Sequence, residues 1–121
     1  MAFIKSLRYA LIGLWYILKS ERNARIHLVS AGLVFGFGLF LGLSNAELAA
    51  IFFAIILVFL AEIMNTAIEK TLDLIDSNHR PEIRIIKDMA AGAVLVAAVG
   101  AVIIGTAIFY PYVLEHLWLR R

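Results

Sequence analysis

Three stretches of the chain carry no charge. Residues 28–43 read LVSAGLVFGFGLFLGL, residues 48–61 read LAAIFFAIILVFLA, and residues 89–114 read MAAGAVLVAAVGAVIIGTAIFYPYVL. A bilayer core needs about 20 mainly apolar helical residues. The third run reaches that length unaided. The first reaches it from about Ile26, and the second needs Glu62 and the residues after it for its last turns. The pattern predicts transmembrane helices near 26–43, 46–67 and 88–110. Residues 1–25 follow another rule. Phe3, Ile4, Leu7, Leu11, Leu14, Trp15 and Leu18 recur at helical spacing, while Lys5, Arg8, Lys19 and Arg22 fall largely elsewhere. That is the pattern of an amphipathic helix lying in the membrane interface. A core-facing helix of a soluble bundle would share the spacing, but beside three spans the interfacial reading is preferred. The predicted fold class is an all-α integral membrane protein of one domain, with three transmembrane helices preceded by an interfacial helix.

The connections differ in character. Ser44, Asn45, Ala46 and Glu47 make a tight hairpin. Residues 70–87 read as a polar loop carrying Lys70, Asp73, Asp76, Arg80, Glu82, Arg84 and Lys87. Lys5, Arg8, Lys19, Arg22 and Arg25 precede the first span, and the short hairpin has no Lys or Arg. The positive-inside rule then puts the N-terminus and the 70–87 loop in the cytoplasm. Arg120 and Arg121 at the other end run against that rule. Pro111 is expected to end the third span, and no role is assigned to the tail after it. Gly32 and Gly36, Gly38 and Gly42, and Gly92, Gly100 and Gly105 are read as small residues that let helices approach closely in lipid.

Composition closes off other classes. Of 121 residues, 63% are hydrophobic and 17% charged, with a mean hydropathy of +0.92. A soluble domain of this size is roughly half apolar and about a quarter charged. A 13.4 kDa globule has too much surface to hide this much apolar area. The chain is too apolar for disorder. A net charge of +2 without a basic run gives no track for nucleic acid. With no Cys there is no disulfide framework and no thiolate zinc site. Lys5, Arg8 and Lys19 interrupt what would have to be the apolar core of a secretory signal.

The candidate chemistry begins where the second span ends. Glu62, Asn65, Glu69, Asp73 and Asp76 fall within a helical stripe about 80° wide. A carboxylate at the edge of hydrocarbon is expensive and suggests function. Glu69 with another carboxylate suits Mg²⁺, a hard cation that binds through one or two carboxylates plus substrate phosphates. Glu62 lies deeper, where a proton acceptor is the role it suits. A solvated polar helix face would account for Asp73 and Asp76 taken alone. Lys87 and Asp88 precede the third span. There Lys87 can bind phosphate as a point charge, helped by the helix dipole, and Asp88 can cap the helix. Glu21, Arg22, Asn23, Arg25 and His27 stand at headgroup depth, where lipid contact is one reading and Glu21 as a second Mg²⁺ ligand is the other. GxxxxGK[ST], GxGxxG and the protein-kinase motifs are all missing.

The segments ERNARIHL, NTAIE between Glu62 and Asp73, and KDMAAGAV resemble the small prokaryotic diacylglycerol kinase family, closest to its undecaprenol kinase branch. The resemblance covers roughly residues 3–108. It implies ATP- and Mg²⁺-dependent phosphorylation of a membrane lipid alcohol, and a homotrimer whose active sites are shared between protomers. By motif, Glu62 corresponds to the catalytic base, Glu21 and Glu69 to the metal ligands, and Asn65 to a support for phosphate and metal. Tyr9, Glu21, Glu69, Asp73, Lys87 and Asp88 correspond to nucleotide contacts, and Asn23, Arg25, His27 and Glu62 to lipid contacts. RPEIRIIKD departs from the family's usual HPxAKxAKD, with Arg80, Ile83 and Ile86 in place of His and two Ala. Competing readings are diacylglycerol as substrate, a small proton-coupled transporter using one intramembrane Glu, and a holin-like accessory protein without catalysis.

Overall fold

The computed structural model describes residues 1–76 and 80–118, and every element in them is helical. Four helices follow one another: α1 (Ala2–Ser20), α2 (Arg22–Leu41), α3 (Asn45–Ile75) and α4 (Pro81–Trp118). The last three are long and apolar enough to cross a membrane. At 20, 31 and 38 residues they measure about 30, 46 and 57 Å. Only α2 matches a hydrocarbon core of about 30 Å. Helices α3 and α4 outlast it by several turns.

Several boundaries differ from those read off the sequence. Helix α1 stops at Ser20, not near 25. Glu21 takes an extended conformation (φ −105°, ψ 120°) that ends α1 and starts α2. Arg25 braces this corner: its guanidinium donates to the carbonyls of Leu18 and Lys19 at 3.1 and 2.9 Å, two acceptors the helix end leaves open. The polar stretch 70–87 is largely helical. Helix α3 continues to Ile75 and α4 starts at Pro81, so the connection is confined to 76–80. A charged surface is compatible with helix once the chain leaves the apolar region, and Pro81 is well suited to a first helical turn. Asp88 therefore lies inside α4 and does not cap it. Pro111 also lies inside α4, which continues to Trp118. A proline removes one backbone hydrogen bond, and here the turn beyond it is fastened by the Tyr112 hydroxyl donating to Glu47 Oε2 at 2.6 Å. Arg120 and Arg121 lie outside the described residues.

The hairpin is shorter than expected. Gly42 ends α2 in the left-handed region (φ 74°), which a side chain would disfavour. Ser44 caps α3 with a full capping box, so Asn45 to Glu47 form its first turn. Helix α3 packs most extensively on α4, then on α2. Gly38 is the point of closest approach: an added Cβ would meet Leu43 at 3.3 Å and Leu48 at 3.4 Å. Among the described residues, an added Cβ at Gly32, Gly36, Gly92, Gly100 or Gly105 would meet nothing within 4 Å. Phe37 stacks on Phe109 at 5.6 Å and Phe35 meets Phe52 edge-on at 6.1 Å, joining α2 to both partners. The core is thin. Ile51, Ala54, Val58, Glu62 and Thr66 make up most of the buried stripe of α3.

Candidate active site

The site gathers at one end of the bundle, where α1 turns into α2 and the polar half of α3 runs beside the start of α4. The stripe on α3 places its side chains because successive turns repeat every three or four residues. Glu62 is the deepest, only 4% exposed, in register with the apolar residues of the buried face. A carboxylate so placed needs a partner. His27 of α2 supplies it, with Nε2 at 3.8 Å from Glu62 Oε2. That distance is longer than a hydrogen bond, so the carboxylate is attended without being saturated. Glu69 and Glu21 both lie within electrostatic reach of it.

One turn further along α3, the Asn65 amide Nδ2 donates to Glu69 Oε1 at 3.3 Å. The other end of that amide, Oδ1, is buried and accepts nothing. An acceptor in that condition is costly and suits a cation or a donor brought by a ligand. Glu21, at the corner between α1 and α2, accepts from Ser20 Oγ at 3.2 Å and pairs with Lys70 Nζ at 3.1 Å. Lys70 also lies over the Tyr16 ring, 5.4 Å from its centroid. Towards the start of α4, Lys87 Nζ pairs with Asp73 Oδ1 at 2.5 Å, and Arg80 with Asp76 at 2.6 Å. A small cavity of about 220 Å³ opens there between Asp73, Asp76, Arg84 and Lys87.

On the other side of Glu62 the surroundings change. An apolar cavity of about 530 Å³ runs between α2, α3 and α4, from His27 past Val58 and Ala54 to Gly105 and Phe109. The apolar cavity thus ends at His27, the imidazole that attends Glu62.

Of the residues singled out from sequence, the structure joins Glu62 to His27, Asn65 to Glu69, and Asp73 to Lys87. Glu21 stands at the edge of the same cluster. Tyr9, Asn23 and Asp88 are exposed and make no polar contact with it. Tyr9 is about 18 Å from Glu21 along α1. Arg25 braces the corner between α1 and α2 through its Nη1. Sequence reasoning missed Lys70 and Tyr16 as members of the cluster, and Thr66 as a buried polar neighbour on the face of Glu62. Spacing along α3 could have flagged Thr66, four residues from Glu62. Nothing in the sequence pairs Lys70 with Glu21.

The donor set fits a hard divalent cation. Two carboxylates and a vacant amide oxygen are the ligand types such an ion prefers. Among the described residues no three His, Asp or Glu side chains converge on one point, so oxygens from a phosphate ligand or water would complete the shell.

A buried, lightly partnered carboxylate thus shares one helix with a cluster of paired acids and bases, and its imidazole neighbour lines an apolar cavity among helices long enough to span a membrane. Residues 8–109 match the prokaryotic diacylglycerol kinase family. The chain is 44% identical over 109 residues to the undecaprenol kinase of Bacillus subtilis, spanning 90% of this chain and 89% of that protein. It is 37% identical over 111 residues to the diacylglycerol kinase of Synechocystis sp., spanning 91% of this chain and 63% of that protein. The chain belongs to the prokaryotic diacylglycerol kinase family and is a lipid kinase.

Proposed function

We propose that the chain phosphorylates the hydroxyl of undecaprenol, using ATP as donor and Mg²⁺ as cofactor, at the cytoplasmic face of the bacterial cytoplasmic membrane. The observation that carries this reading is Glu62, buried against His27 where the apolar cavity meets the polar cluster. A lipid alcohol enters tail-first along that cavity and presents its hydroxyl at Glu62. The rest of a long isoprenoid tail stays in the bilayer. The greater identity to the undecaprenol kinase than to the diacylglycerol kinase favours the polyprenyl alcohol.

In this reading Glu62 takes the proton as the lipid oxygen bonds to the terminal phosphorus of ATP. The bond from that phosphorus to the bridging oxygen breaks, and ADP leaves. Glu21 and Glu69, with Asn65 in support, would hold Mg²⁺, which would supply the charge neutralisation on the phosphates that phosphoryl transfer mostly asks for. Lys87 holds phosphate oxygens and Asp73 positions Lys87. Asp88 and Tyr9 contact the nucleotide, while Asn23, Arg25 and His27 face the lipid headgroup. Helix α1 lies in the interface plane with the N-terminus cytoplasmic. A homotrimer with shared sites agrees with the distance of Tyr9 from Glu21 within one chain, since a neighbour's α1 can reach where the chain's own cannot.

The test is phosphorylation in mixed micelles with Mg-ATP, offering undecaprenol and diacylglycerol side by side. The expected result is faster formation of undecaprenyl phosphate. A preference for diacylglycerol would move the chain to the other branch of the family, and absence of either product would overturn the reading of the site. Cross-linking in native membranes checks the trimer.

A further inference from the structure

Lys70 is placed unlike an ordinary surface lysine. It follows Glu69 on α3, yet its ammonium leaves that helix's acidic stripe and reaches the corner between α1 and α2. There it is held twice: by Glu21 Oε1 at 3.1 Å and by the face of Tyr16 at 5.4 Å. An ammonium over an aromatic face and against a carboxylate is localised by both attractions. Glu21 is the side chain read above as a metal ligand. A divalent cation bonds to a carboxylate oxygen at about 2 Å, so it competes with the ammonium for the lone pairs of Glu21 Oε1. Two cations crowded onto one carboxylate would also repel each other.

We propose that Lys70 is a displaceable stand-in for the divalent cation at Glu21. It holds the carboxylate in place while the site is empty and gives it up when the cation arrives. The proposal rests on the reading of Glu21 as a metal ligand. Its consequence is that a divalent cation binds the free protein weakly. When cation and nucleotide arrive together, the phosphates offer the released ammonium a new anionic partner, and the penalty of displacement falls. The lysine thereby ties loading of the site to release of Tyr16, and so of α1, from α3.

The experiment is a nucleotide-free titration of the full chain in detergent micelles with Mn²⁺, reading free ion by electron paramagnetic resonance. Lys70→Met is expected to bind Mn²⁺ roughly five- to tenfold more tightly than the unsubstituted protein, the factor an ion pair and a cation–π contact of this exposure would impose. Lys70→Arg restores charge and hydrogen bonding, and is expected to return the affinity to within about twofold. Tyr16→Leu leaves the charge and loosens only the ring contact, for roughly two- to threefold tighter binding. A general effect of removing positive charge would not produce that intermediate value. Unchanged or weaker binding in Lys70→Met overturns the proposal. If that variant does not fold, as judged by helix content, the Tyr16→Leu value decides in the same sense. Glu21→Gln separates the two readings. Weaker Mn²⁺ binding there, with no gain in Lys70→Met, removes the stand-in role alone, whereas unchanged binding removes Glu21 as a ligand and the proposal with it.

Discussion

Two of the three glutamates of helix α3, Glu47 and Glu62, stand about 22 Å apart along its axis, and their surroundings are opposite. Glu47, in the first turn, is saturated. Its Oε2 accepts from the backbone and hydroxyl of Ser44, both at 2.8 Å, and from Tyr112 at 2.6 Å. Glu62 is buried and meets one imidazole at 3.8 Å. The Oε2 of the first carboxylate has no lone pair left for chemistry, and its donors come from the turn that it caps and from Tyr112 of α4. The second keeps open acceptor capacity beside an apolar channel. A saturated acid is a fastener. An attended but unsaturated one can take a proton and return it. The contrast separates structural from functional charge within a single helix.

The largest test of that contrast is Glu62→Gln. It removes the proposed proton acceptor and keeps the shape, so kcat for lipid phosphorylation is expected to fall by about 10²- to 10⁴-fold. Helix content by circular dichroism should stay the same. Full activity in this variant would break the contrast. Next comes Asn65→Ala, which frees Glu69 from its amide donor. Partners of this kind are worth about ten- to hundredfold in metal affinity, and the Mg²⁺ concentration for half-maximal activity should rise by that factor. Gly38→Val sharpens the structural side. The added branches press on Leu43 and Leu48, already at 3.3 and 3.4 Å from an ideal Cβ, and overpacking of this sort costs about 1–3 kcal/mol. Thermal unfolding in micelles reads the loss, while activity per folded molecule stays level. The smallest effect is expected from Glu47→Ala, which removes the capping box and the acceptor of Tyr112. The melting temperature should drop by several degrees with kcat within about twofold. A collapse of activity there would show the two glutamates to be less different than their surroundings.

Much of the site was legible before the fold. The stripe from Glu62 to Asp76 follows from a fixed angle per residue along one helix, and the charge-free runs fix where that helix must be buried. Asp73 and Lys87, fourteen residues apart, are assigned to the same site by motif, and the packing of α3 on α4 brings them together. The misjudged features were boundaries. Residues 70–87 look like loop because polarity and disorder of structure often go together, yet a helix that outruns the bilayer keeps its hydrogen bonds in water as well as in lipid. Pro111 looks like a stop because it lacks an N–H, and α4 continues through it with Tyr112 fastened to Glu47. Gly42 reads as a packing residue by its spacing from Gly38, but its positive φ shows that it reverses the chain.

By itself the sequence determined the three long apolar helices, the acidic stripe, and the membership of the family, because each depends on neighbours within a few turns or on motifs read in order. Only the tertiary structure decided who meets whom: His27 with Glu62, Lys70 and Tyr16 with Glu21, Tyr112 with Glu47. These pairs join different helices. They depend on the corner at Glu21, on where α3 crosses α2 and α4, and on the close approach at Gly38. No periodicity along a single helix encodes such crossings, since they arise from how whole faces pack.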